Sequence, residues 1–413
     1  MKNEWRKVRL GDVVNLNYGK SLPKRERVTG KYPVYGSSGM VDCHVIPYVK
    51  SEGIIVGRKG NVGSIYYEKN PFYPIDTVFY IDKTKIQTDL KYLYFLLKTL
   101  NLSSLNSDAA VPGLNRNQAL KVKIQIPDFF TQVCIASIIS TYDNLIENNE
   151  KRIKILEEMA QRLYTQWFVK FEFPVNPRHS RESGNPDWIS NQVGDDKKGY
   201  KSSGGKLVES GTEYGMIPKG WEVKKLKDIG LVITGKTPSK SVKENYGNEI
   251  LFIKTPDFEG NVFIKNTSEK LSTTGADTQN NKMLPPKTVM VSTIGTLGKV
   301  AITSCLSTTN QQINSLLTNN PDDYIYFYFF AKTLKSRLKG LGSNGATMGN
   351  VSKSKFESIT ILYPTESVRS EFFQITKNNF EDVLTLESKQ IRLIDIRDLL
   401  IENLVTGKIL IKN

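Results

Sequence analysis

The segment from Gly230 to Thr237 has the spacing of a phosphate-binding loop, GxxxxGK followed by Ser or Thr. Such a loop needs small, flexible residues whose backbone amides converge on a phosphate, with a buried strand before it. Here the four variable positions are Leu, Val, Ile and Thr, which favour a strand themselves, and residues 224–228 carry charges of both signs. The segment therefore predicts a strand and not an ATP site.

Two other short motifs resemble catalytic ones and are incomplete. Asn70-Pro71-Phe72-Tyr73 lacks the second proline of the adenine-methyltransferase motif, and no glycine-rich turn for S-adenosylmethionine precedes it at a suitable distance. Pro256-Asp257, with Glu259 or Glu269, could begin a nuclease motif, but no Glu-x-Lys follows in range. We therefore expect no catalytic residues and no cofactor in this chain.

Metal ligands are also scarce. The three cysteines (Cys43, Cys134 and Cys305) lie far apart, and the only histidines are His44 and His179. Adjacent Cys43 and His44 are poorly placed to chelate one ion, and no second ligand pair follows. We expect no metal site and no disulfide framework, which suits a reducing cytoplasm. No stretch is apolar enough to cross a membrane, and the first residues lack a signal-peptide core.

The net charge of +15 is concentrated in two separate blocks. Residues 1–127 contain 20 lysines and arginines against 10 aspartates and glutamates, and residues 214–364 contain 19 against 11. A generally basic protein would spread this excess over its surface, whereas two blocks indicate a polyanionic partner that touches both. We expect that partner to be double-stranded DNA.

The two basic blocks belong to a diverged internal repeat, in which four landmarks occur twice in the same order. The second copy has about twenty more residues between its first and second landmarks. The landmarks are a Trp–Leu–Asp opening (Trp5, Leu10, Asp12; Trp221, Leu226, Asp228), a glycine hairpin (57–65; 292–300), an aromatic helix (Tyr92 to Leu100; Tyr326 to Leu334) and a closing segment (Gly113 to Pro127; Asn350 to Pro364).

Polar side chains gather at the glycine hairpins, after each opening strand and at each closing turn. Arg and Asn can pair bidentately with guanine and adenine edges, whereas Lys and Thr suit phosphates. The alternative is that the glycines only close hairpins and the amides only cap turns. The candidate DNA-binding residues are Lys20, Lys24, Arg25, Arg58, Lys59, Asn61, Asn115 and Arg116 in the first block, and Lys236, Thr237, Lys240, Thr296, Lys299, Gln311, Gln312, Lys353 and Lys355 in the second.

A long helical pattern follows each closing proline, and seven-residue spacing predicts a coiled-coil seam on both helices. Because both helices belong to one chain, we expect them to pair with each other; the alternative is that each is a core helix of its own domain. The seam positions are Tyr142, Ile146, Asn149, Ile153, Leu156, Leu163 and Trp167 in the first helix, and Leu386, Leu393 and Leu400, with Val383, Gln390, Arg397 and Leu404, in the second.

Short β-branched runs alternate with turns in each block, so the expected fold class is α+β. The architecture would be two similar mixed α/β domains, separated by two long helices that form an antiparallel coiled coil, with a pseudo-two-fold internal repeat. The expected bounds are 1–127 and 214–364 for the domains, 128–173 and 365–413 for the helices, and 174–213 for a flexible linker or insert rich in Gly, Ser and Pro.

In its openings, its glycine hairpins and three further stretches the chain resembles the specificity subunits of type I restriction–modification systems. The three stretches are Ile135 to Glu147, Leu156 to Val169 and Leu399 to Lys408. The resemblance implies two target-recognition domains that each read one half of a split DNA site, with conserved spacer helices between them. It also implies two methyltransferase subunits and restriction subunits as partners, which would use S-adenosylmethionine, ATP and Mg.

Two interpretations of another class stay open at this point. One is a stand-alone DNA-modifying enzyme, which the incomplete cofactor and metal motifs disfavour. The other is a two-domain DNA-binding regulator, for which we would expect a helix-turn-helix that the sequence does not show.

Overall fold

A computed structural model describes residues 5–105, 113–174, 199–258, 260–342 and 349–411. The chain divides into two compact units. The first unit comprises Met1–Asn148 and Ile391–Asn413, and the second comprises Asn149–Gln390. The division therefore passes through both long helices, and the expected domain bounds stay a prediction.

The first part of the chain alternates short strands and short helices before one long helix. The strands are β1 (Arg6–Arg9), β2 (Asn17–Tyr18), β3 (Tyr32–Gly36), β4 (Gly39–His44), β5 (Gly53–Gly57), β6 (Ile65–Glu68), β7 (Tyr73–Pro74), β8 (Val78–Ile81) and β9 (Lys123–Ile126). The α-helices are α1 (Leu10–Val13), α2 (Leu90–Thr99), α3 (Arg116–Lys121) and α4 (Phe129–Tyr164). Lys24–Glu26 and Leu102–Leu105 are 3₁₀ turns, and Thr165–Val169 is a π-helical turn that continues α4.

The rest of the chain repeats this order with additions. The strands are β10 (Leu207–Glu209), β11 (Met216–Pro218), β12 (Glu222–Lys225), β13 (Gly230–Thr234), β14 (Tyr246–Ile253), β15 (Phe263–Ile264), β16 (Glu269–Leu271), β17 (Val289–Ser292), β18 (Val300–Thr303), β19 (Ser307–Thr309), β20 (Ile313–Thr318) and β21 (Thr360–Tyr363). The α-helices are α5 (Leu226–Ile229), α6 (Thr273–Asp277), α7 (Tyr324–Thr333), α8 (Lys335–Gly342), α9 (Lys353–Glu357) and α10 (Glu366–Leu400). Further 3₁₀ turns are Lys243–Asn245, Thr255–Asp257, Asn280–Lys282 and Pro321–Asp323, and the π-helical turn Ile401–Val405 continues α10.

The sheets of the two units correspond strand by strand. The first unit has sheets in the order β2-β8-β5-β6 and β4-β3-β7, and the second has β13-β20-β17-β18-β15 and β16-β14-β19. In both smaller sheets one neighbouring pair is parallel, β3 with β7 and β14 with β19. The additional edge strand β15 lies in the longer stretch that distinguishes the second copy of the repeat. The expected pair of similar mixed domains is confirmed.

Each domain begins and ends at the same place, because its opening strand pairs with its closing strand. β1 runs antiparallel to β9, with Arg6 opposite Ile126, and β12 runs antiparallel to β21, with Glu222 opposite Tyr363. The aspartates of the two openings then cap short helices. Asp12 accepts a hydrogen bond from the backbone N–H of Arg9 at 2.8 Å, and Asp228 accepts one from Lys225 at 3.1 Å. This gives the repeated aspartate a local structural role.

Each unit contains a part of both long helices, and within each unit the two helices run antiparallel. In the second unit, Gln390 of α10 donates to Glu150 of α4 at 3.1 Å, and the Phe372 ring lies 6.0 Å from that of Trp167, just beyond α4. In the first unit, Arg397 of α10 forms an ion pair with Asp143 of α4 at 3.4 Å. Two polar seam positions, Gln390 and Arg397, therefore contact the opposite helix.

The proposed seam positions are buried or half-buried in the structure. Buried positions are Ile146, Asn149, Trp167, Val383, Leu386 and Leu404, and half-buried positions are Tyr142, Ile153, Leu156, Leu163, Gln390, Leu393, Arg397 and Leu400. Alternate faces of the same helices are exposed, as at Ile155, Met159 and Leu399. This is the amphipathic pattern that a seven-residue repeat produces.

Residues 174–213 are predicted to be a flexible linker or insert, but the last part of this segment contains a strand. Residues 175–198 lie outside the described part of the chain. Residues 207–209 form β10, which pairs antiparallel with β11, and the Tyr200 ring stacks on Phe173 at 4.6 Å. A three-residue strand within a Gly- and Ser-rich stretch is too short to show a period of two, so the sequence pattern does not reveal it.

Glu387 of α10 fixes the additional strand of the second unit. Its carboxylate is only 4% exposed and accepts hydrogen bonds from the backbone N–H groups of Val262 at 2.7 Å and Phe263 at 3.0 Å. Burial raises the pKa of Glu387 from its ordinary 4.5 to about 7, although these two hydrogen bonds and nearby Lys265 act in the opposite direction. The protonated form is therefore favoured by folding.

This raised pKa predicts a loss of stability with rising pH. Protonated Glu387 stabilises the folded state by about 3 kcal/mol, and this stabilisation is fully present below about pH 4.5. It is lost as the pH rises through about 7. We expect the free energy of unfolding of the unchanged protein to fall more steeply between about pH 4.5 and 7 than that of Glu387→Gln, whose side chain stays neutral, and the two profiles to run parallel above that range. Urea unfolding followed by tryptophan fluorescence at a series of pH values measures both, and identical pH profiles would contradict the burial argument.

Candidate nucleic-acid interface

The glycine hairpin of the first unit is closed by its own backbone. The N–H of Gly57 donates to the carbonyl of Ser64 at 2.8 Å, and the N–H of Gly63 donates to the carbonyl of Gly57 at 2.9 Å. Gly60 and Gly63 have φ angles of 76° and 78°. These angles lie in the left-handed region, which favours glycine, so the spacing of the glycines follows from the shape of the turn.

Backbone hydrogen bonds also hold the other two predicted surfaces against this hairpin. Arg58 and Lys59 donate from their N–H groups to the carbonyl of Thr77, and the carbonyl of Arg58 accepts from Leu114 at 2.8 Å. The N–H of Lys20 donates to the carbonyl of Pro74 at 3.0 Å. We call the assembled segments 17–20, 57–64, 74–78 and 113–116 the first tip.

The second unit contains the same framework, which we call the second tip: segments 234–237, 292–299, 309–313 and 350–353. Its hairpin closes through the N–H groups of Ser292 and Gly298, and Lys236 donates to the carbonyl of Thr309 at 2.9 Å. The remaining bonds are from Thr293 to Gln312, from Val351 to Thr293 and from Gly235 to Ile313. Each corresponds to a bond of the first tip, so the repeat extends to individual backbone hydrogen bonds.

The candidate residues of the first unit fall into two groups. Lys20, Lys24, Arg25, Lys59 and Asn61 are exposed. Three others have structural partners within the unit: Arg58 donates to the carbonyl of Asp76, Arg116 donates to the carbonyl of Leu16 at 2.7 Å, and Asn115 caps α3 by accepting from the N–H groups of Asn117 and Gln118.

The candidate residues of the second unit divide in the same way. Lys236, Thr296, Gln311 and Lys353 are exposed, although Lys353 also pairs with Glu357 at 3.4 Å. Those with closer partners are Thr237 (Gln311), Lys240 (Glu269), Lys299 (the carbonyl of Thr255), Gln312 (Asn310 and Thr255) and Lys355 (the carbonyl of Leu341).

Glu269 also binds a second lysine, Lys254, at 2.6 Å. Hydrogen bonding from Lys254, and then from Lys240, lowers the pKa of Glu269, so the carboxylate is ionised near neutrality. Lys240 is exposed and free to exchange this partner for a phosphate, because a surface ion pair contributes little.

A buried polar network supports the second tip and was not among the predicted features. Asn314, which is 1% exposed, donates to the hydroxyl of Thr293 at 3.0 Å and to the carbonyl of Val351 at 3.3 Å, and it bonds Thr234. It thus joins three segments of the tip by one side chain. The sequence offers little signal for it, because a single Asn in a strand pattern does not identify its partners.

The phosphate-loop segment forms a strand, as its residue types predict. Residues Gly230–Thr234 are β13, which pairs antiparallel with β20. Within the described residues, no group of three or more His, Cys, Asp or Glu side chains could hold a metal ion. No helix in that part of the chain is long and apolar enough to cross a membrane.

Comparison with known proteins identifies the family. Residues 2–158 and 218–392 match the model of the type I restriction modification DNA specificity domain. The chain belongs to this family. Its members are non-catalytic DNA-recognition subunits, so the interpretation as a specificity subunit is confirmed over the alternatives of a modifying enzyme or a two-domain regulator.

Individual relatives agree with this assignment. The chain is 32% identical over 390 residues to the HindI specificity subunit of Haemophilus influenzae, which covers 85% of each chain. It is 29% identical over 183 residues to the MjaIX specificity subunit of Methanocaldococcus jannaschii, covering 43% of this chain and 42% of the relative. The crystal structure of the type I S subunit from M. genitalium has the same fold, with a TM-score of 0.62 at 15% identity, over 98% of this chain and 96% of that one.

The close approach at one hairpin glycine predicts unequal effects of two matched substitutions. Gly295 and Gly298 both have positive φ angles, but a Cβ at Gly298 would lie 2.9 Å from the Cα of Lys335, whereas one at Gly295 meets nothing within 4 Å. We expect Gly295→Ala to lower the free energy of unfolding by about 1 kcal/mol and Gly298→Ala by about 2–4 kcal/mol. Urea denaturation measures both, and equal losses would show that the hairpin does not pack against α8 in this way.

Proposed function

We propose that this specificity subunit reads a DNA target in two parts, one with the first tip and one with the second. The main support is that both units repeat one backbone framework and present exposed cations on it, Lys20 and Lys59 in one and Lys236 and Lys353 in the other. The two basic blocks, with net charges of +10 and +8, contain these tips. Exposed lysines suit phosphates, and the amides and arginines among the candidates suit base edges.

We further propose that the long helices bind two adenine-N6 methyltransferase subunits, and that restriction subunits join that complex in the cytoplasm. Exposed apolar side chains on these helices support protein docking. They include Phe130 (67% exposed) and Leu145 in the first unit and Ile155 and Met159 in the second. Under this proposal S-adenosylmethionine, ATP and Mg are bound by the partner subunits and none by this chain.

Exchange of one domain tests whether each domain reads one half of the DNA target. Replacing residues 1–127 with the corresponding domain of another specificity subunit should change one half of the methylated motif and leave the other half intact. The reciprocal exchange of residues 214–364 is the matched control and should change the other half. Sequencing of methylated adenines in host DNA reads out both variants; a change in both halves, or in neither, would refute separate reading.

Binding to DNA by the complex with its methyltransferase subunits should depend strongly on salt. About six to ten phosphate contacts shared between the tips give a slope of log K against log salt of about −5 to −9. Lys20→Ala and Lys59→Ala should each make this slope shallower by about 1. Lys408→Ala, which removes a lysine outside both tips, should not alter it. A wild-type slope shallower than about −2 excludes an electrostatic interface of this size.

A further inference from the structure

Arg58 is held in place by two independent contacts within the first tip. Its guanidinium lies over the ring of Tyr18, 5.4 Å from the centroid, and 5.9 Å from that of Phe79. Nε and Nη2 both donate to the backbone carbonyl of Asp76, the first at 3.1 Å. A guanidinium that lies over an aromatic ring and donates two hydrogen bonds has lost most of its rotational freedom before any ligand arrives, so binding through it costs little further entropy.

These contacts leave one edge of the guanidinium available. The carbonyl of Asp76 occupies the side edge, which is formed by Nε and one N–H of Nη2. The end edge consists of the Nη1 group and the second N–H of Nη2, and it has no hydrogen-bonding partner among the described residues, while the side chain remains partly exposed. Two parallel donors on this edge match the O6 and N7 acceptors that guanine presents in the major groove.

The surroundings of Arg58 favour a base over a phosphate. Asp76, whose carbonyl anchors the guanidinium, carries an exposed carboxylate that would repel a phosphate close to it. Exposed lysines on the same tip, Lys20 and Lys59, are available for the backbone. Lysine is a flexible point charge that suits phosphates, whereas the rigid, two-donor fork of arginine suits the fixed acceptor pair of a base. We therefore expect the lysines to contact the DNA backbone and Arg58 to contact a base.

The second tip has no such side chain at the corresponding position. Thr293 takes the place of Arg58 in the backbone framework: its N–H donates to Gln312 as that of Arg58 donates to Thr77. It is 1% exposed, and its hydroxyl binds Asn314 and the carbonyl of Gln312. The equivalent residue therefore supports the tip from within and is not available to DNA.

We propose that Arg58 determines part of the sequence specificity by reading the O6 and N7 of a guanine in the half-site bound by the first unit. The proposal rests on the proposed function, in which the first tip reads one half-site. It goes further by naming the residue that makes the contact, the base that is contacted and the edge of that base. It also requires a G·C pair in one particular half-site, namely the one that changes when residues 1–127 are exchanged.

The test compares Arg58→Lys with Lys59→Ala in the complete methyltransferase complex. Arg58→Lys keeps the positive charge and removes the two-donor edge. It should therefore relax one G·C position of one half-site, with discrimination there falling by about 5- to 150-fold. Lys59→Ala removes a neighbouring exposed cation and should weaken binding to matched and mismatched sites alike. Competition binding against DNA with single substitutions, together with sequencing of methylated adenines, measures both effects.

Tyr18→Leu keeps every donor of Arg58 and removes the aromatic surface beneath it. It should cause a smaller loss of discrimination at the same G·C position, and it decides the matter if the Arg58 variant does not assemble with its partners. Unchanged discrimination in both variants, relaxation at a position other than G·C, or a first half-site without any G·C pair would overturn the proposal. If Lys59→Ala still weakens binding and domain exchange still changes one half-site, the proposed function stands and only the role of Arg58 fails.

Discussion

The hydroxyl of Tyr92 donates to the backbone carbonyl of Val405, which lies 313 residues further along the chain. Burial raises the pKa of this phenol, so it remains a donor. Ile401, Leu404 and Val405, in the turn that ends α10, complete the same apolar core as α2 and the main sheet of the first unit. The first unit therefore depends on residues from both ends of the sequence, and its core is closed only when the last helix is in place.

The second unit is closed in an equivalent way by the end of the other long helix. Tyr164, Trp167 and Phe168 belong to its core, and the Phe168 ring lies 4.6 Å from that of Tyr326 on the aromatic helix α7. Each aromatic helix thus packs against a π-helical turn, five residues long, at the end of a long helix. The opening and closing strands pair with each other, so each domain begins and ends at the same edge.

The sequence pattern predicts the parts of this arrangement that have a strong period or a repeated motif. β-Branched runs, aromatic runs and heptads predict the hairpin strands, the two aromatic helices and both long helices, and all of these are present. The short helices α1, α3, α5 and α9 were missed because helices of four to six residues cannot show a period of 3.6.

Side-chain roles at the tips were harder to predict than positions. The residue types of Arg58, Asn115 and Arg116 predict DNA contacts, but Asn115 serves as a helix cap and Arg116 binds the carbonyl of Leu16. A cap and a surface contact use the same chemistry, so composition does not distinguish them. Which edge of Arg58 remains available depends on the backbone carbonyl of Asp76, 18 residues away. Every residue has such a carbonyl, so the residue types do not reveal this contact.

The tips are held together chiefly by main-chain atoms, and this has a consequence for how the protein can change over generations. Replacing Lys59 or Asn61 alters what the first tip presents without breaking the bonds that shape it, because those bonds use N–H and carbonyl groups that every residue except proline supplies. Gly57 is different, since a Cβ there would lie 2.1 Å from the carbonyl oxygen of Asn61. Mutation can thus change the presented side chains one at a time, whereas a larger residue at Gly57 would disturb the hairpin that presents them.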